Sequence, residues 1–233
     1  MTIVGPSGCG KSTMLYLIAG LLKPSSGRIL VDGAPASKPG PDRGMVFQEI
    51  SILPWRTVWR NIGHGLELQK APREKRDLIV GRYVRLVGLE GFERKYPHEL
   101  SGGMKQRVAV ARILAANPKV VLMDEPFAAL DAQTRITLQE ELVRICAHEC
   151  STVLFVTHSV DEAVLLGDRV VILTRRPGQV KEIVRVPIPR SERTYRAIDA
   201  NDEAKRLKKY VFDSIRNEVS VADEEERAEA ETR

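Results

Sequence analysis

Residues 5–13 read Gly5-Pro6-Ser7-Gly8-Cys9-Gly10-Lys11-Ser12-Thr13 and lie almost at the start of the chain. They match the pattern G-x-x-x-x-G-K-[ST], which forms a loop whose backbone N–H groups surround a polyphosphate. The glycines allow those N–H groups to turn inward without a Cβ in the way. We expect Lys11 to bring its charge to the outer phosphates and the Ser12 hydroxyl to bind Mg²⁺.

Apolar residues flank this loop on both sides. Thr2-Ile3-Val4 reads as the end of a strand, and the run from Met14 to Ala19 continues the loop as a helix. The N-terminus of such a helix carries about half a positive charge, which favours a bound anion. A chance match in a glycine-rich turn is the alternative, but the strand–loop–helix context argues against it. The sequence therefore predicts nucleotide binding.

The composition is ordinary for a globular protein. Of the 233 residues, 43% are hydrophobic and 29% are charged, and the formal net charge is +5. No apolar run approaches the roughly 20 residues of a membrane span and no secretory signal precedes the loop, so we expect a cytosolic chain or one attached to a membrane through a partner. The cysteines form no C-x-x-C pair, so neither a disulfide framework nor a zinc site is indicated. The mild positive charge is weak evidence for nucleic acid.

A buried strand is predicted at residues 120–123, directly before Asp124 and Glu125. An apolar strand that ends in an acidic residue is the second half of a nucleotide site, with Asp124 holding Mg²⁺ through water. Glu125 lies at the same strand end, where it could polarise a water against the γ-phosphate. The alternative is a pair of carboxylates at a solvated strand end.

Two more predicted strands end in polar side chains. Gln48 follows a short strand at 44–47, and His158 follows an apolar strand at 153–157. Because ligands collect at the carboxyl ends of parallel strands, Gln48 is a candidate for the Mg²⁺ or water shell, with a surface amide as the alternative. His158 is a candidate for contact with the γ-phosphate, although a lone histidine is usually structural.

Helical patterns dominate from about residue 53 to residue 97, at 58–69 and 74–87. We therefore expect a helical insertion between the first strands of the sheet and the later ones. Trp55 and Trp59 lie in this segment; core packing is the default expectation for them, and an exposed docking surface is the alternative.

The stretch Leu100-Ser101-Gly102-Gly103-Met104-Lys105-Gln106-Arg107 opens another helix. Ser101 is a natural N-cap, and the glycines expose N–H groups that could hold a second anion. A simple capped turn is the alternative. If Ser101-Gly102-Gly103 is instead a second phosphate cradle, it could serve a nucleotide that is bound to another copy of the chain. Further along we expect a helix at 134–150, an antiparallel hairpin reaching 179–186, a charged helix beyond Pro189, and a disordered acidic tail from Asp223.

These motifs together resemble the ATP-binding subunit of an ABC transporter, over roughly residues 1–190. Each motif of that family has a similar stretch here, in the family's order: Gly5–Thr13 for Walker A, Gln48 for the Q-loop, Leu100–Arg107 for the signature, Val120–Glu125 for Walker B, Ala129–Asp131 for the D-loop and His158 for the switch histidine. Within the family, Phe47-Gln48-Glu49, Leu53–Val58 and Met104–Arg107 are similar to bacterial importers of nitrate, sulfonates and taurine.

The resemblance implies an α/β fold, a RecA-like P-loop NTPase core with a mainly parallel sheet and an inserted helical subdomain. The core would comprise residues 1–52 and 104–189, the subdomain 53–103, and a C-terminal helix and acidic tail 190–233. The family carries antiparallel strands and an adenine-stacking aromatic residue before its Walker A. The resemblance therefore implies that these N-terminal strands are missing here, through a fragment or a misplaced start.

The resemblance also implies a mechanism that uses ATP and Mg²⁺. Two chains would form a head-to-tail homodimer, with residues assigned by motif: Gly5, Pro6, Ser7, Gly8, Cys9, Gly10, Lys11, Ser12 and Thr13 to ATP; Ser12, Gln48 and Asp124 to the metal; Glu125, His158, Gln48 and Lys11 to catalysis; and Ser101, Gly102, Gly103 and Asp131 to the partner's ATP.

The implied function is ATP hydrolysis that powers an importer of nitrate, sulfonate, taurine or a similar small solute. The implied partners are transmembrane permease subunits and, indirectly, a solute-binding protein, with no nucleic acid. The implied place is the cytoplasmic face of the bacterial inner membrane, as a peripheral subunit. The alternatives are a soluble ABC-type ATPase acting on nucleic acid or ribosomes, and a non-hydrolysing remnant.

Overall fold

A mainly parallel sheet lies at the centre of the computed structural model, which describes residues 1–128, 130–148 and 152–231. The strands of the described residues are β1 (Thr2–Val4), β2 (Leu30–Val31), β3 (Ala34–Pro35), β4 (Arg43–Val46), β5 (Val120–Asp124), β6 (Thr152–Val156), β7 (Arg169–Leu173) and β8 (Val180–Arg185). The main sheet has the order β4-β5-β6-β1-β7-β8, while β2 and β3 pair with each other.

Helices cover this sheet. Those of the described residues are α1 (Lys11–Ala19), α2 (Val58–Ile62), α3 (His64–Leu68), α4 (Arg73–Leu86), α5 (Gly102–Ala115), α6 (Ala132–His148), α7 (Val160–Leu166), α8 (Tyr195–Ala200) and α9 (Asp202–Glu231). Short 3-10 turns lie at Pro97–Glu99 and Arg190–Glu192. The predicted α/β class, with a mainly parallel sheet and helices inserted before β5, is confirmed. No helix of the described residues is both long enough and apolar enough to cross a membrane.

Strand β1 is short but central. It pairs in parallel with β6 on one side and β7 on the other, and all three of its residues are buried. All five residues of β5 are buried, which explains why that strand is a nearly continuous apolar run. Because β5, β6 and β1 are parallel neighbours, the loops that follow them emerge at one edge of the sheet. The site is assembled there.

The helical insertion between β4 and β5 differs in detail from the prediction. The helix expected at 58–69 is divided into α2 and α3 at Gly63, where an added Cβ would lie 3.2 Å from the Val80 side chain of α4. The boundary expected between residues 103 and 104 falls inside α5, which packs against α2, α3 and α4 as well as β4. The subdomain limits remain a prediction.

The C-terminal part begins with the predicted hairpin, since β8 pairs antiparallel with β7. Beyond Pro189 the chain forms α8 before the long helix α9. Helix α9 continues through Glu231, so the expectation of a disordered tail from Asp223 is wrong. The segment is rich in alanine, glutamate and arginine, which have high helix propensity, and this outweighs the run of like charges.

Candidate active site

The phosphate loop connects β1 to α1. Gly8 and Gly10 have φ angles of 75° and 100°, in the left-handed region that non-glycine residues rarely adopt. An added Cβ at either glycine would meet no atom within 4 Å. Backbone conformation rather than crowding therefore requires glycine at these two positions, and the loop surface beside them is open to a ligand.

Lys11 is held inside the curve of this loop. Its side chain is only 6% exposed, and its Nζ donates to the carbonyl oxygens of Gly5 at 2.9 Å and Pro6 at 2.8 Å. Lys11 is also the first residue of α1, so its charge adds to the positive end of the helix dipole. This arrangement favours an anion at the mouth of the loop.

Ser12 and Asp124 come together from opposite parts of the chain. The Ser12 Oγ donates to Asp124 Oδ1 at 3.1 Å, and Asp124 is 2% exposed at the end of β5. A hydroxyl and a carboxylate are the hard oxygen ligands that suit Mg²⁺, which binds through few protein ligands together with phosphate and water. The donor set therefore fits the predicted metal.

Glu125 and His158 face each other across two neighbouring strand ends. His158 Nε2 lies 2.6 Å from Glu125 Oε1. The backbone N–H of Glu125 donates to Val156 O at 3.1 Å, and Glu125 has a φ of 46°. A positive φ is uncommon for a residue with a side chain, and here it accompanies the sharp turn after β5. The pair can hold and orient a proton between a carboxylate and an imidazole.

These groups line one cavity of about 320 Å³, a size within the range of small-molecule sites. Its lining residues are Ser7, Gly8, Gly10, Lys11, Ser12, Thr13, Gln48, Glu125 and His158. Gln48 lies just beyond β4 and is exposed. The structure thus brings together the loop, the Q-loop candidate and both strand-end candidates, while Asp124 is joined to them through Ser12.

The second cradle lies elsewhere. Ser101 caps α5, and its Oγ accepts from Met104 N at 3.3 Å. Asp131 precedes α6 and accepts from Thr134 N at 2.9 Å, and this backbone hydrogen bond lowers the pKa of Asp131. Neither these residues nor Gly102 and Gly103 line the cavity described above. Ala129, the first residue of the predicted D-loop, lies outside the described residues.

The helical insertion carries a separate open groove of about 620 Å³. Its lining combines two tryptophans with several charged side chains: Trp55, Arg56, Trp59, Arg60, Gly63, Glu67, Arg73, Arg76, Asp77 and Val80. Trp55 is 70% exposed, whereas Trp59 is partly buried against the core. The expectation of core packing is therefore wrong for Trp55, and the docking alternative fits it better, because a large exposed aromatic side chain is typical of interaction surfaces.

Sequence reasoning missed two residues that support the site. Thr157 is buried beside His158, and its hydroxyl accepts from Ser159 N at 2.9 Å. Gly178 lies in the turn between β7 and β8, where an added Cβ would lie 1.9 Å from the Cys9 carbonyl oxygen. A Ser-x-x-Glu pattern at Ser159 marks only a helix start, so nothing in the local sequence identified either contact.

Comparison with known proteins agrees with this geometry. The model of the ABC transporter family matches residues 1–128. An uncharacterized ABC transporter ATP-binding protein of Methanocaldococcus jannaschii is 58% identical over 190 residues, which cover 82% of this chain and 71% of that protein. The nitrate import ATP-binding protein NrtC of Synechococcus elongatus is 54% identical over 193 residues, 82% of this chain and 29% of that protein.

A solved structure shows the same fold. The dimeric ATP-binding cassette MJ0796, in a post-hydrolysis state bound to ADP and Pi, superposes with a TM-score of 0.69. It is 32% identical, and the match covers 81% of this chain and 85% of that one. Neither the family model nor these proteins support the alternative of an ATPase that acts on nucleic acid or ribosomes. We conclude that the chain belongs to the ABC transporter family, as an ATP-hydrolysing cassette.

Proposed function

We propose that this chain is the ATPase subunit of an importer for a small solute such as nitrate, a sulfonate or taurine, and that it works as a head-to-tail homodimer. The proposal rests on one observation: the residues expected to bind ATP lie in two separate places on the chain. The phosphate loop, Glu125 and His158 line one cavity, whereas the cradle at Ser101 does not line it. A second chain would complete each cavity with its own cradle.

The chain's residues divide the work of hydrolysis among them. The loop N–H groups and Lys11 bind the phosphates of ATP, and α1 directs its positive end at them. Mg²⁺, held by Ser12, Gln48 and Asp124, would neutralise charge on the phosphates. Glu125 accepts a proton from the attacking water, a role worth about 10²–10⁴-fold in rate. His158, 2.6 Å from Glu125, orients that carboxylate and contacts the γ-phosphate.

The groove beside Trp55 is the proposed contact with the membrane subunits. Its arginines, glutamate and tryptophans suit a short amphipathic segment, since aromatic side chains and arginine are enriched at protein interfaces. Gln48 follows β4, on the stretch that leads from the cavity to this groove, and would report the state of the site to the permease. We therefore place the chain at the cytoplasmic face of the cell membrane, bound through the permease, with a solute-binding protein as an indirect partner.

The proposal of nitrate as solute rests on the relative whose printed name is a nitrate import protein, and on the similar stretches around Gln48 and Trp55. Uptake of isotopically labelled nitrate, a sulfonate and taurine is measured in cells that carry Glu125→Gln in this gene. Loss of one uptake activity identifies the solute, and full retention of all of them contradicts this range of solutes.

The variant Glu125→Gln tests the catalytic assignment. It removes the proton acceptor but keeps the side-chain shape, so ATP should still bind while kcat falls by about 10²–10⁴-fold. The trapped nucleotide should hold two chains together, which size-exclusion chromatography with light scattering detects as an ATP-dependent dimer. The exposed Glu74 on α4 supplies the control, because Glu74→Gln should leave turnover and oligomeric state unchanged. Normal hydrolysis by Glu125→Gln would refute the assignment.

Mixing two defective chains tests the head-to-tail arrangement. In the Glu125→Gln background, Lys11→Ala removes the phosphate loop's charge and Ser101→Arg blocks the cradle, so neither chain should dimerise alone with ATP. A mixture should form a heterodimer, because Lys11 of one chain and Ser101 of the other complete one intact site. Absence of a dimer in the mixture, with the Glu125→Gln dimer present, would contradict the shared site.

A further inference from the structure

A buried polar network lies beside the site without lining the cavity. The amide Nε2 of Gln139 on α6 donates to Glu162 Oε1 at 2.6 Å, and the hydroxyl of Thr157 donates to Glu162 Oε2. At the far end, the Tyr195 hydroxyl of α8 donates to Gln139 Oε1 at 2.6 Å. Gln139 is fully buried, Thr157 is 2% exposed and Glu162 is 8% exposed. The network therefore joins α6, α7 and α8 to the strand end that carries His158.

A buried carboxylate in this position is costly. Burial raises the pKa of Glu162, and the hydrogen bonds from Thr157 and Gln139 act in the opposite direction. Burial likewise raises the pKa of Tyr195 to about 12. Removing a carboxylate from water is unfavourable unless the group is well hydrogen-bonded. The two donors that reach Glu162 satisfy both of its oxygens, which favours a specific orienting role.

The network fixes the direction of one hydroxyl. Because the Thr157 O–H points at Glu162, its oxygen lone pairs remain free to accept from Ser159 N, at 2.9 Å. This hydrogen bond spans His158, which lies between Thr157 and Ser159 in the chain. Ser159 Oγ in turn accepts from Glu162 N at 3.3 Å and caps α7. The backbone on both sides of His158 is thus tied to buried groups, although the His158 side chain itself is 50% exposed.

We propose that Thr157, oriented by Glu162 and Gln139, is a positioning residue that sets His158 against Glu125. The 2.6 Å contact between His158 and Glu125 depends on the backbone at 157–159, and the network holds that backbone. This role rests on the proposed function, in which His158 and Glu125 act on the γ-phosphate and the attacking water. The hydrogen bond from Tyr195 to Gln139 connects α8, in the C-terminal part of the chain, to this network.

The test compares two substitutions at Thr157 in the full chain. Thr157→Val keeps the shape and removes the hydroxyl, and we expect kcat for ATP to fall about 10- to 100-fold, as for other small misplacements of a catalytic group. The KM for ATP should stay within about twofold of wild type, since the phosphate loop is untouched. Thr157→Ser keeps the hydroxyl and should restore most of kcat. On α6, the exposed Thr137 donates to Gln133 O of the same helix at 3.0 Å, so Thr137→Val is the matched control and should leave kcat unchanged.

A double-variant cycle separates positioning from general stability. If Thr157 acts through His158, Thr157→Val should lower kcat less than about twofold in a His158→Ala background, measured by single-turnover phosphate release. A second loss of tenfold or more in that background would overturn the proposal, as would wild-type kcat in Thr157→Val. Loss of kcat in Thr157→Ser equal to that in Thr157→Val would also overturn it.

Misfolding of Thr157→Val is tested with a second variant. Thr157→Val leaves a buried carboxylate with one donor fewer, so the protein could fail to fold. The double variant Thr157→Val with Glu162→Gln removes the buried charge together with the donor. It should fold and show the same loss of kcat, and full activity would again overturn the proposal. The proposed function fails separately, if His158→Ala or Glu125→Gln alone retains wild-type turnover.

Discussion

Gly178 should be as important to nucleotide binding as a residue of the phosphate loop, although it lies in the turn between β7 and β8. An added Cβ there would lie 1.9 Å from the Cys9 carbonyl oxygen. An ordinary carbon–oxygen contact is about 3.3–3.6 Å. Substitution by alanine therefore forces the turn and the loop about 1.5 Å apart.

The turn is also held on its other side. Glu218 of α9 accepts from Arg175 N at 3.2 Å and pairs with Lys181 at 2.7 Å, and these bonds oppose movement of the turn away from the loop. Moving a binding group by about 1 Å can cost on the order of 10²-fold in rate. We therefore expect Gly178→Ala to lower kcat/KM for ATP about 100-fold, mainly through KM. Crowding of this kind should also destabilise the fold by about 1–3 kcal/mol.

The assay is steady-state phosphate release against ATP concentration, with the melting temperature and urea unfolding measured on the same samples. Gly81→Ala on α4 is the matched control, because an added Cβ there would lie 3.7 Å from the Trp59 ring in ordinary contact. That variant should keep wild-type kcat/KM. If Gly178→Ala also retains wild-type kcat/KM, the close packing of the turn on Cys9 is not what holds the loop in place.

Two further predictions concern charged groups. Hydrogen bonding from Arg190 lowers the pKa of Asp168, so its stabilising effect is present above the unfolded-state pKa of about 3.9 and is lost as the pH falls through the lower folded-state pKa. Asp168→Asn should lower the free energy of unfolding by about 1 kcal/mol at pH 7, after allowance for solvent screening of a partly exposed pair. Urea titrations at pH 3 should show a smaller difference in unfolding free energy between wild type and variant. A difference as large as that at pH 7 would contradict this reasoning. Asp124→Asn replaces the carboxylate that accepts from Ser12 with an uncharged amide, and should raise the Mg²⁺ concentration needed for half-maximal ATPase activity about 10- to 100-fold. An unaltered Mg²⁺ titration would argue against a metal role for Asp124.

Much of the fold could be predicted because its signals are local. The buried strands β5, β6 and β7 are apolar runs, and turn residues or capping residues bound them. The hairpin of β8 follows from the Arg176-Pro177-Gly178 turn. Element limits follow less directly from local signals, since the helix predicted at 58–69 divides into α2 and α3 at Gly63. The acidic run beyond Asp223 favours disorder through its charge, but its alanine, glutamate and arginine residues favour the helix that the chain adopts there.

The chemistry of the candidate site can be predicted from short stretches of sequence. The phosphate loop is contiguous, and Asp124, Glu125 and His158 each lie at or just beyond the end of an apolar strand, so residue type and strand-end position predict them as candidates. Their alignment at one edge of the sheet follows from a general rule of parallel sheets.

Which distant residues support that chemistry depends on how the elements pack together. The approach of Gly178 to Cys9 and the hydrogen bonds that join Thr157 to Gln139 through Glu162 are contacts between elements far apart in the chain. The separation of Ser101 from the cavity is likewise a property of the packed elements. Hydrophobic periodicity and turn signals specify how each element forms. They do not specify which side chains meet when the elements pack, because that depends on the three-dimensional arrangement of the whole core.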